Sequence, residues 1–296
     1  IAKGHVFKSS SDSEVLLHLY EEYGVECAKY LEGMFAFSIY DLRKKTLYLA
    51  RDRVGEKPLY YIEDKKGFYF SSEIKSFYAL DNFSKNLSTA GIHSYFNTIQ
   101  IPAPQTIFEG VKKLRSAHWL IVHPDGKQRS EIYWHVDCTK KHKIPLIDAK
   151  NHLKELMKDS VRKMLTSDVP VGVLLSGGVD SSLVAALAKE VGGGNFSTFT
   201  LGNSAKEAND EECIRARKVA MKLNVPNYVY DFGCSDFCEL VEAVKLCDEP
   251  IGLLEIFYMF GIFKNIKEHV KVILTGNGAD EIFAGYVSYN SIKRLA

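Results

Sequence analysis

The spacing of apolar positions changes near the middle of the chain. Residues 13–23 carry Val15, Leu16, Leu19 and Tyr20 at helical intervals, and Ser11 or Asp12 stands where a helix cap belongs, so this stretch reads as an amphipathic helix. From Gly33 to Ser72 the period shortens. Aromatic and β-branched runs at 34–40, 46–50, 58–62 and 68–70 are separated by Asp41, Gly55, Asp64 and Gly67, a pattern that predicts an antiparallel meander. Weaker runs at 107–111 and 118–123 predict two further short strands, with a hairpin turn at Asp125-Gly126. The polar, basic stretch 137–143 reads as a solvated linker.

Beyond that linker, helical and strand-like segments alternate. Helices are expected at 147–165, 181–191, 211–223, through 246, at 253–267 and from 279 to 286, with strands at 171–175, 196–201, 227–231 and 270–274. Such alternation predicts a doubly wound parallel sheet, in which ligands bind outside the carboxyl ends of the strands. The chain therefore divides into an antiparallel β/α domain over 1–137 and a parallel α/β domain over 138–296.

Composition narrows the function classes. Lys+Arg numbers 38 and Asp+Glu 37, so the net charge of +1 supplies no field to gather nucleic acid or an anionic membrane. No apolar run reaches the ~20 residues that span a bilayer, and the first residues lack a signal-peptide core. Cys27, Cys138, Cys213, Cys234, Cys238 and Cys247 form no CxxC pair. Cys234 and Cys238 could share a helix face but lack paired His ligands. Buried thiols in a reducing cytoplasm are the expectation.

Two strand ends carry the chemistry. The strand at 171–175 runs into Ser176-Gly177-Gly178-Val179-Asp180-Ser181-Ser182, followed by apolar residues at helical spacing. The glycines allow a tight turn with amides aimed at an anion, the serines add hydroxyls, and the helix start adds its positive end. No Lys follows as in GxxxxGK[ST], and GxGxxG is absent, so neither a Walker loop nor a dinucleotide fingerprint is present. Asp180 would repel a phosphate unless a cation such as Mg²⁺ lies between them. The second strand end, Thr275-Gly276-Asn277-Gly278-Ala279-Asp280-Glu281, is again glycine-rich and acidic. If the two strands are neighbours, Asp180 and Asp280 converge on one metal. The alternative is a pair of ordinary turns with Asp as a helix cap.

The SGGVDSS segment resembles the PP-loop of ATP pyrophosphatases, which cleave ATP between the α and β phosphates. With Asp248-Glu249-Pro250 and TGNGADEIFAGY (275–286), the second half resembles the synthetase domain of glutamine-hydrolysing asparagine synthetases. In the first half, Ser11-Asp12-Ser13-Glu14, Glu32-Gly33-Met34-Phe35, the run 50–61, Ser71-Ser72-Glu73 and the run 107–114 resemble that family's class II glutaminase domain, of N-terminal-nucleophile type. The resemblance implies ATP and Mg²⁺ as cofactors, and aspartate with glutamine or ammonia as small-molecule substrates. It implies amidation of aspartate to asparagine through β-aspartyl-AMP, with AMP and pyrophosphate released. It further implies that Leu175, Ser176, Gly177, Gly178, Asp180, Ser181, Leu201, Thr275 and Gly276 hold the nucleotide, and that Asp180 and Asp280 hold the metal. Asp12 would bind the α-amino group of glutamine; its other reading is a helix cap. Glu249 would stand near the synthetase site. Arg51, Asp52 and Arg53 read as a structural ion-pair network. A homodimer is compatible with the family.

Five departures qualify that picture. The chain starts at Ile1, whereas the family's nucleophile is an N-terminal Cys whose amine is the base, so the chain as given is expected not to hydrolyse glutamine. Asn277 stands where the family has an acidic residue and can carry neither charge nor base function. Gly252-Leu253-Leu254 departs after the Asp248-Glu249-Pro250 motif, and Ala284 replaces a frequent Gly. The later helices, with a phosphate-neutralising basic residue, are absent, so a chain truncated at both ends is expected. Two rival readings follow: an amide- or β-lactam-forming relative with another carboxylate substrate, and a catalytically silent nucleotide-binding paralogue.

Overall fold

The computed structural model describes residues 4–139, 141, 143–193, 195–202, 210–231, 240–252 and 255–289. Two units emerge, Ile1–Lys141 with Val244–Gly252, and His142–Ala243 with Leu253–Ala296. In the first, α1 (Ser13–Tyr23) has the bounds its apolar spacing predicts. It lays Leu19 and Tyr20 on a core of Cys27, Tyr48, Ala50, Trp119 and Tyr133. The sheet beneath is antiparallel in the order β1-β2-β6-β7, with β1 Ala36–Asp41, β2 Thr46–Arg51, β6 His118–Val122 and β7 Gln128–Ile132. Gly126, at φ 80°, makes the expected turn between β6 and β7.

Strand β2 is buried on both faces. Alternation sends Tyr48 and Ala50 towards α1, and Leu47 and Leu49 into a second core with Leu59, Leu114 and Leu120. That core is closed by Tyr61 and Phe68 of a second antiparallel sheet, β4-β3-β5, formed by β3 (Tyr60–Asp64), β4 (Gly67–Ser71) and β5 (Lys112–Lys113). The far face of this sheet carries Tyr60 and Val111 against Ile74 and Phe77 of a 3₁₀ turn, Ile74–Ala79. The expected strand at 107–111 is instead a loop with one bridge, Leu87 to Phe108. Gly110 turns at φ 77°, and the Thr106 hydroxyl bonds the carbonyls of Phe108 and Val111 at 3.1 and 2.9 Å. Helix α2 (Thr89–Thr98), too short to announce itself by period, is capped by the Ser88 hydroxyl accepting from Gly91 N.

The second unit is a four-stranded parallel sheet in the order β10-β9-β8-β11, comprising β8 (Val171–Leu174), β9 (Ser197–Gly202), β10 (Asn227–Asp231) and β11 (Val272–Leu274). Helices cover both faces, as alternation predicts. Val173 and Leu175 pack against α3 (Leu146–Leu165), α4 (Val179–Gly192) and α5 (Glu211–Leu223). Leu174, Phe199 and Leu201 pack against Ile262 and Ile266 of α7 (Glu255–Ile266), which follows α6 (Leu240–Leu246). From β8 the chain winds outward to β9 and β10, then returns to set β11 on the other side of β8. The winding therefore reverses between β8 and β11, which opens a crevice at their carboxyl ends.

Among the described residues, no helix is long and apolar enough to cross a membrane. Cys27 and Cys213 are buried, Cys247 is half-buried and Cys138 is exposed. Cys234 and Cys238 lie outside the described residues.

Candidate functional site

Strand β8 delivers the chain to the 176–182 loop at that reversal. The strand end is fixed from beside it, where Asn227 Nδ2 donates to Thr200 Oγ1 (3.0 Å) and Thr200 Oγ1 donates to Leu175 O (2.8 Å). Gly178 is the N-cap of α4 and brings no side-chain acceptor, so the first-turn amides keep their donors for an incoming anion. Ser181 is buried, and its hydroxyl holds the loop closed, 3.2 Å from Ser176 N and 3.0 Å from Ser176 Oγ. Ser176 is exposed, and its hydroxyl also accepts from Gly178 N (3.3 Å). Leu175 is fully buried in the α4–α5 core, whereas Leu201 belongs to the core on the other face of the sheet. Of the two leucines assigned to the nucleotide, Leu175 can offer the loop only its backbone.

The loop after β11 lies directly on this one. A Cβ built on Gly276 would stand 2.9 Å from Ser181 N and 3.0 Å from Asp180 Cβ, so the Gly276 backbone rests against the first turn of α4. Asp180 and Asp280 are both half-buried, each in the first turn of a helix, α4 and α8 (Ala279–Phe283), that follows one of two neighbouring strands. Thr275 Oγ1 accepts from Asn277 N (3.3 Å), and Asn277 is exposed. The Asp280 carboxylate packs against Gly285, where any Cβ would collide with it.

Helix α8 ends at Ala284 in left-handed geometry, φ 56° and ψ 45°. This gives the replacement of a frequent Gly a physical cost, since a Cβ is strained there. Ala284→Gly is expected to stabilise the protein by about 1 kcal/mol. A denaturant midpoint that stays put or falls would show that no such strain is present.

In the first unit, Asp12 lines a cleft of about 600 Å³ with Leu16, Glu32, Phe35, Lys57 and Ser72. Asp12 occupies the N-cap position of α1, yet its side chain makes no capping bond. Glu14 ties the preceding turn instead. It accepts from the amides of Lys8 and Ser9 (both 2.7 Å) and from the Ser9 hydroxyl (2.5 Å). Those bonds pull its carboxyl down to about 2. The Asp12 carboxylate lines the cleft without capping the helix, and it accepts from the Ser13 hydroxyl at 3.4 Å.

Two lining residues of the cleft, Phe35 and Lys57, have their amides held by Asp52. Its Oδ1 accepts from the amides of Val54 (3.2 Å), Gly55 (2.6 Å) and Glu56 (2.9 Å), and its Oδ2 from Phe35 (3.3 Å) and Lys57 (3.0 Å). Arg51 supplies the complementary donors, to the carbonyls of Gly55 (2.6 Å), Lys57 (2.7 Å) and Leu114 (2.7 Å). Burial pushes the Arg51 guanidinium down from its usual range, and the Asp52 charge opposes that shift. The ion-pair network expected of Arg51, Asp52 and Arg53 is therefore corrected. Arg51 and Asp52 spend their hydrogen bonds on loop backbone, and Arg53 lies over the Trp134 ring at 5.6 Å. Glu32, Lys57 and Ser72 also line this cleft, and their signal in the sequence is that each falls in a segment that resembles the family's glutaminase domain.

Asp248 and Glu249 are held within the first unit. Lys75 N donates to Asp248 Oδ1 (3.1 Å), and Glu249 Oε2 pairs with Lys113 Nζ (2.5 Å), with both partners largely buried. Leu253 and Leu254, part of the departure after Pro250, lie outside the described residues.

The family model described as a glutamine amidotransferase domain matches residues 1–134, and that described as asparagine synthase matches 152–296. A putative glutamine-hydrolyzing asparagine synthetase 2 of Methanocaldococcus jannaschii is 34% identical, over 97% of this chain and 56% of its own length. The glutamine-hydrolyzing asparagine synthetase 3 of Bacillus subtilis is 32% identical, over 96% of this chain and 48% of its own. The chain spans about half the length of the curated relatives it matches. Among solved structures, an NH3-dependent NAD synthetase from Campylobacter jejuni matches with a TM-score of 0.32 at 20% identity, over 46% of this chain and 60% of that one.

Proposed function

The chain belongs to the glutamine-hydrolysing asparagine synthetase family, and from that membership we propose that its second unit activates a carboxylate with ATP for amidation. The substrate in this reading is aspartate. Its β-carboxylate attacks the α-phosphate to give β-aspartyl-AMP and pyrophosphate, and ammonia then displaces AMP to give asparagine. The observation that carries the proposal is the Gly276 backbone resting on Asp180 and Ser181, which supports a single mouth for both loops.

The donor set fits a magnesium-bound triphosphate. Helix-start amides and the Ser176 hydroxyl suit phosphate oxygens, and the Asp180 and Asp280 carboxylates suit Mg²⁺. When bound, the ion supplies charge neutralisation for the leaving pyrophosphate. The rest of the protein's part is positioning: the Ser181 hydroxyl keeps the loop in shape, and Gly276 permits the close approach.

In the first unit, we place the α-amino group of glutamine on Asp12, a charge-assisted contact in the 600 Å³ cleft. Among the described residues no cysteine lines that cleft, and Cys27 lies in the core beside Tyr48. Ammonia supplied as the nitrogen donor assays the second unit's reaction independently of the cleft.

Calorimetry with MgATP tests the reading. The chain is expected to bind in a magnesium-dependent manner, and Asp180→Ala is expected to weaken binding at least about tenfold, the loss of one metal carboxylate. Equal binding by the variant, or none by the parent, sinks the proposal. Asn277 favours one second reading, an acceptor other than aspartate, because it puts a neutral amide in the exposed turn. Pyrophosphate release without aspartate but with another carboxylate would select it.

A further inference from the structure

Two histidines lie side by side among three carboxylates at the entrance to α1. The His5 and His18 rings have centroids 4.5 Å apart. Glu21 Oε2 lies 3.2 Å from His18 Nδ1 and 3.7 Å from His5 Nδ1. The ligand atoms of His5, His18 and Glu21 all fall within 4.8 Å of one another. We propose that these three residues form a binding site for a divalent first-row transition metal of the zinc class, which pins the segment ahead of α1 to that helix.

Three features favour a metal over simple ion pairing. First, the spacings suit coordination. Bonds of about 2.0–2.1 Å in a tetrahedral site separate neighbouring ligand atoms by roughly 3.3 Å, and the two nitrogen–oxygen distances bracket that value. Second, the outward nitrogens are backed by carboxylates. His5 Nε2 is 3.0 Å from Glu22 Oε1, and His18 Nε2 is 3.6 Å from Glu14 Oε1. A carboxylate behind each imidazole is the arrangement that orients metal-binding histidines and raises their basicity. Third, His18 Nε2 is buried without a hydrogen-bond partner. A shift of about half an ångström towards Glu14 on metal binding would satisfy it.

A single dication serves both nitrogens and the carboxylate at once. Two imidazoles and one carboxylate leave a fourth position for water, and this ligand set suits zinc, cobalt or nickel rather than Mg²⁺. The site stands in the first unit and does not depend on the reading of the second. It would stiffen the turn leading to Asp12, which Glu14 already braces through Lys8 and Ser9.

Cobalt titration of the metal-stripped full chain near neutral pH tests the proposal, with visible absorption and calorimetry as readouts. About one equivalent is expected to bind with micromolar affinity and four- or five-coordinate nitrogen/oxygen bands. Zinc is expected to raise the melting midpoint. Glu21→Gln alters an exposed side chain that supports no core, so the variant folds, and it should bind cobalt at least about tenfold more weakly. His18→Gln should abolish the signal. Absence of saturable binding at millimolar cobalt overturns the proposal. So do thiolate charge-transfer bands, which would place the ion on cysteine, and equal affinity in Glu21→Gln.

Discussion

Asp52→Ala is expected to destabilise the first unit by about 4 kcal/mol, among the largest effects of any single substitution in that unit. The carboxylate is fully buried and accepts from five backbone amides, so its removal strips four of their acceptor, while Gly55 N keeps the Asp52 carbonyl at 3.3 Å. Each buried donor left unpaired costs about 1–3 kcal/mol, and relaxation or entering water recovers part of the total. The damage would spread, because the Asp52 backbone also links β1 to β6: its amide donates to Phe35 O (2.9 Å) and its carbonyl accepts from Ala117 N (2.8 Å). Asp52→Asn keeps the volume but turns an NH₂ towards amide donors, so about half the loss is expected. Both tryptophans, Trp119 and Trp134, lie in the first unit, so their fluorescence in a denaturant series reports this unit alone. The cleft should fail with the fold, since Lys57 and Pro58 owe their place to the same loop. A midpoint shift worth under about 1 kcal/mol in Asp52→Ala would show that the amides find other partners.

Asp52 marks the boundary between what local sequence encodes and what only the fold creates. Period and punctuation are local, so α1, α5 and β10 emerged with the bounds the structure has. The paired strands of the parallel sheet were legible for the same reason, since β–α alternation leaves few topologies. The motif loops were legible because glycine, serine and aspartate at a strand end serve few other purposes. Long-range partners leave no such trace. Nothing near Asp52 in sequence announces the amide of Phe35, and nothing in Asp248-Glu249-Pro250 announces Lys75 and Lys113. The role of Asp12 was ambiguous because an acidic residue ahead of a helix serves equally as a cap. The geometry bears on the cap reading alone: Glu14 braces the turn, and the Asp12 side chain makes no capping bond. Side-chain burial leaves no local trace either: the Leu175 side chain fills the core, so only its backbone faces the loop.

Gly177→Ala is expected to dismantle the 176–182 loop, lowering MgATP affinity at least about a hundredfold and stability by about 3 kcal/mol. Gly177 sits at φ 74°, where a Cβ is strained in any surroundings, and here the surroundings are full. An added methyl would stand 2.6 Å from both Ala216 N and Arg215 Cβ, inside the backbone of α5. That helix cannot retreat freely, because Ala216 and Ala220 are buried against the same core as Val173 and Leu175. The loop must move instead, and the Ser181 hydroxyl would lose its hold on Ser176 N. Gly178→Ala provides the contrast. Its φ of −71° suits any residue, and its Cβ would meet only Ser176 Oγ, at 3.4 Å. That variant should retain parental stability even if a methyl at the loop's mouth hinders the phosphate. Melting curves and MgATP titrations on the pair separate steric collapse from a local block. Equal stability of the two variants would remove α5 as the reason residue 177 is glycine.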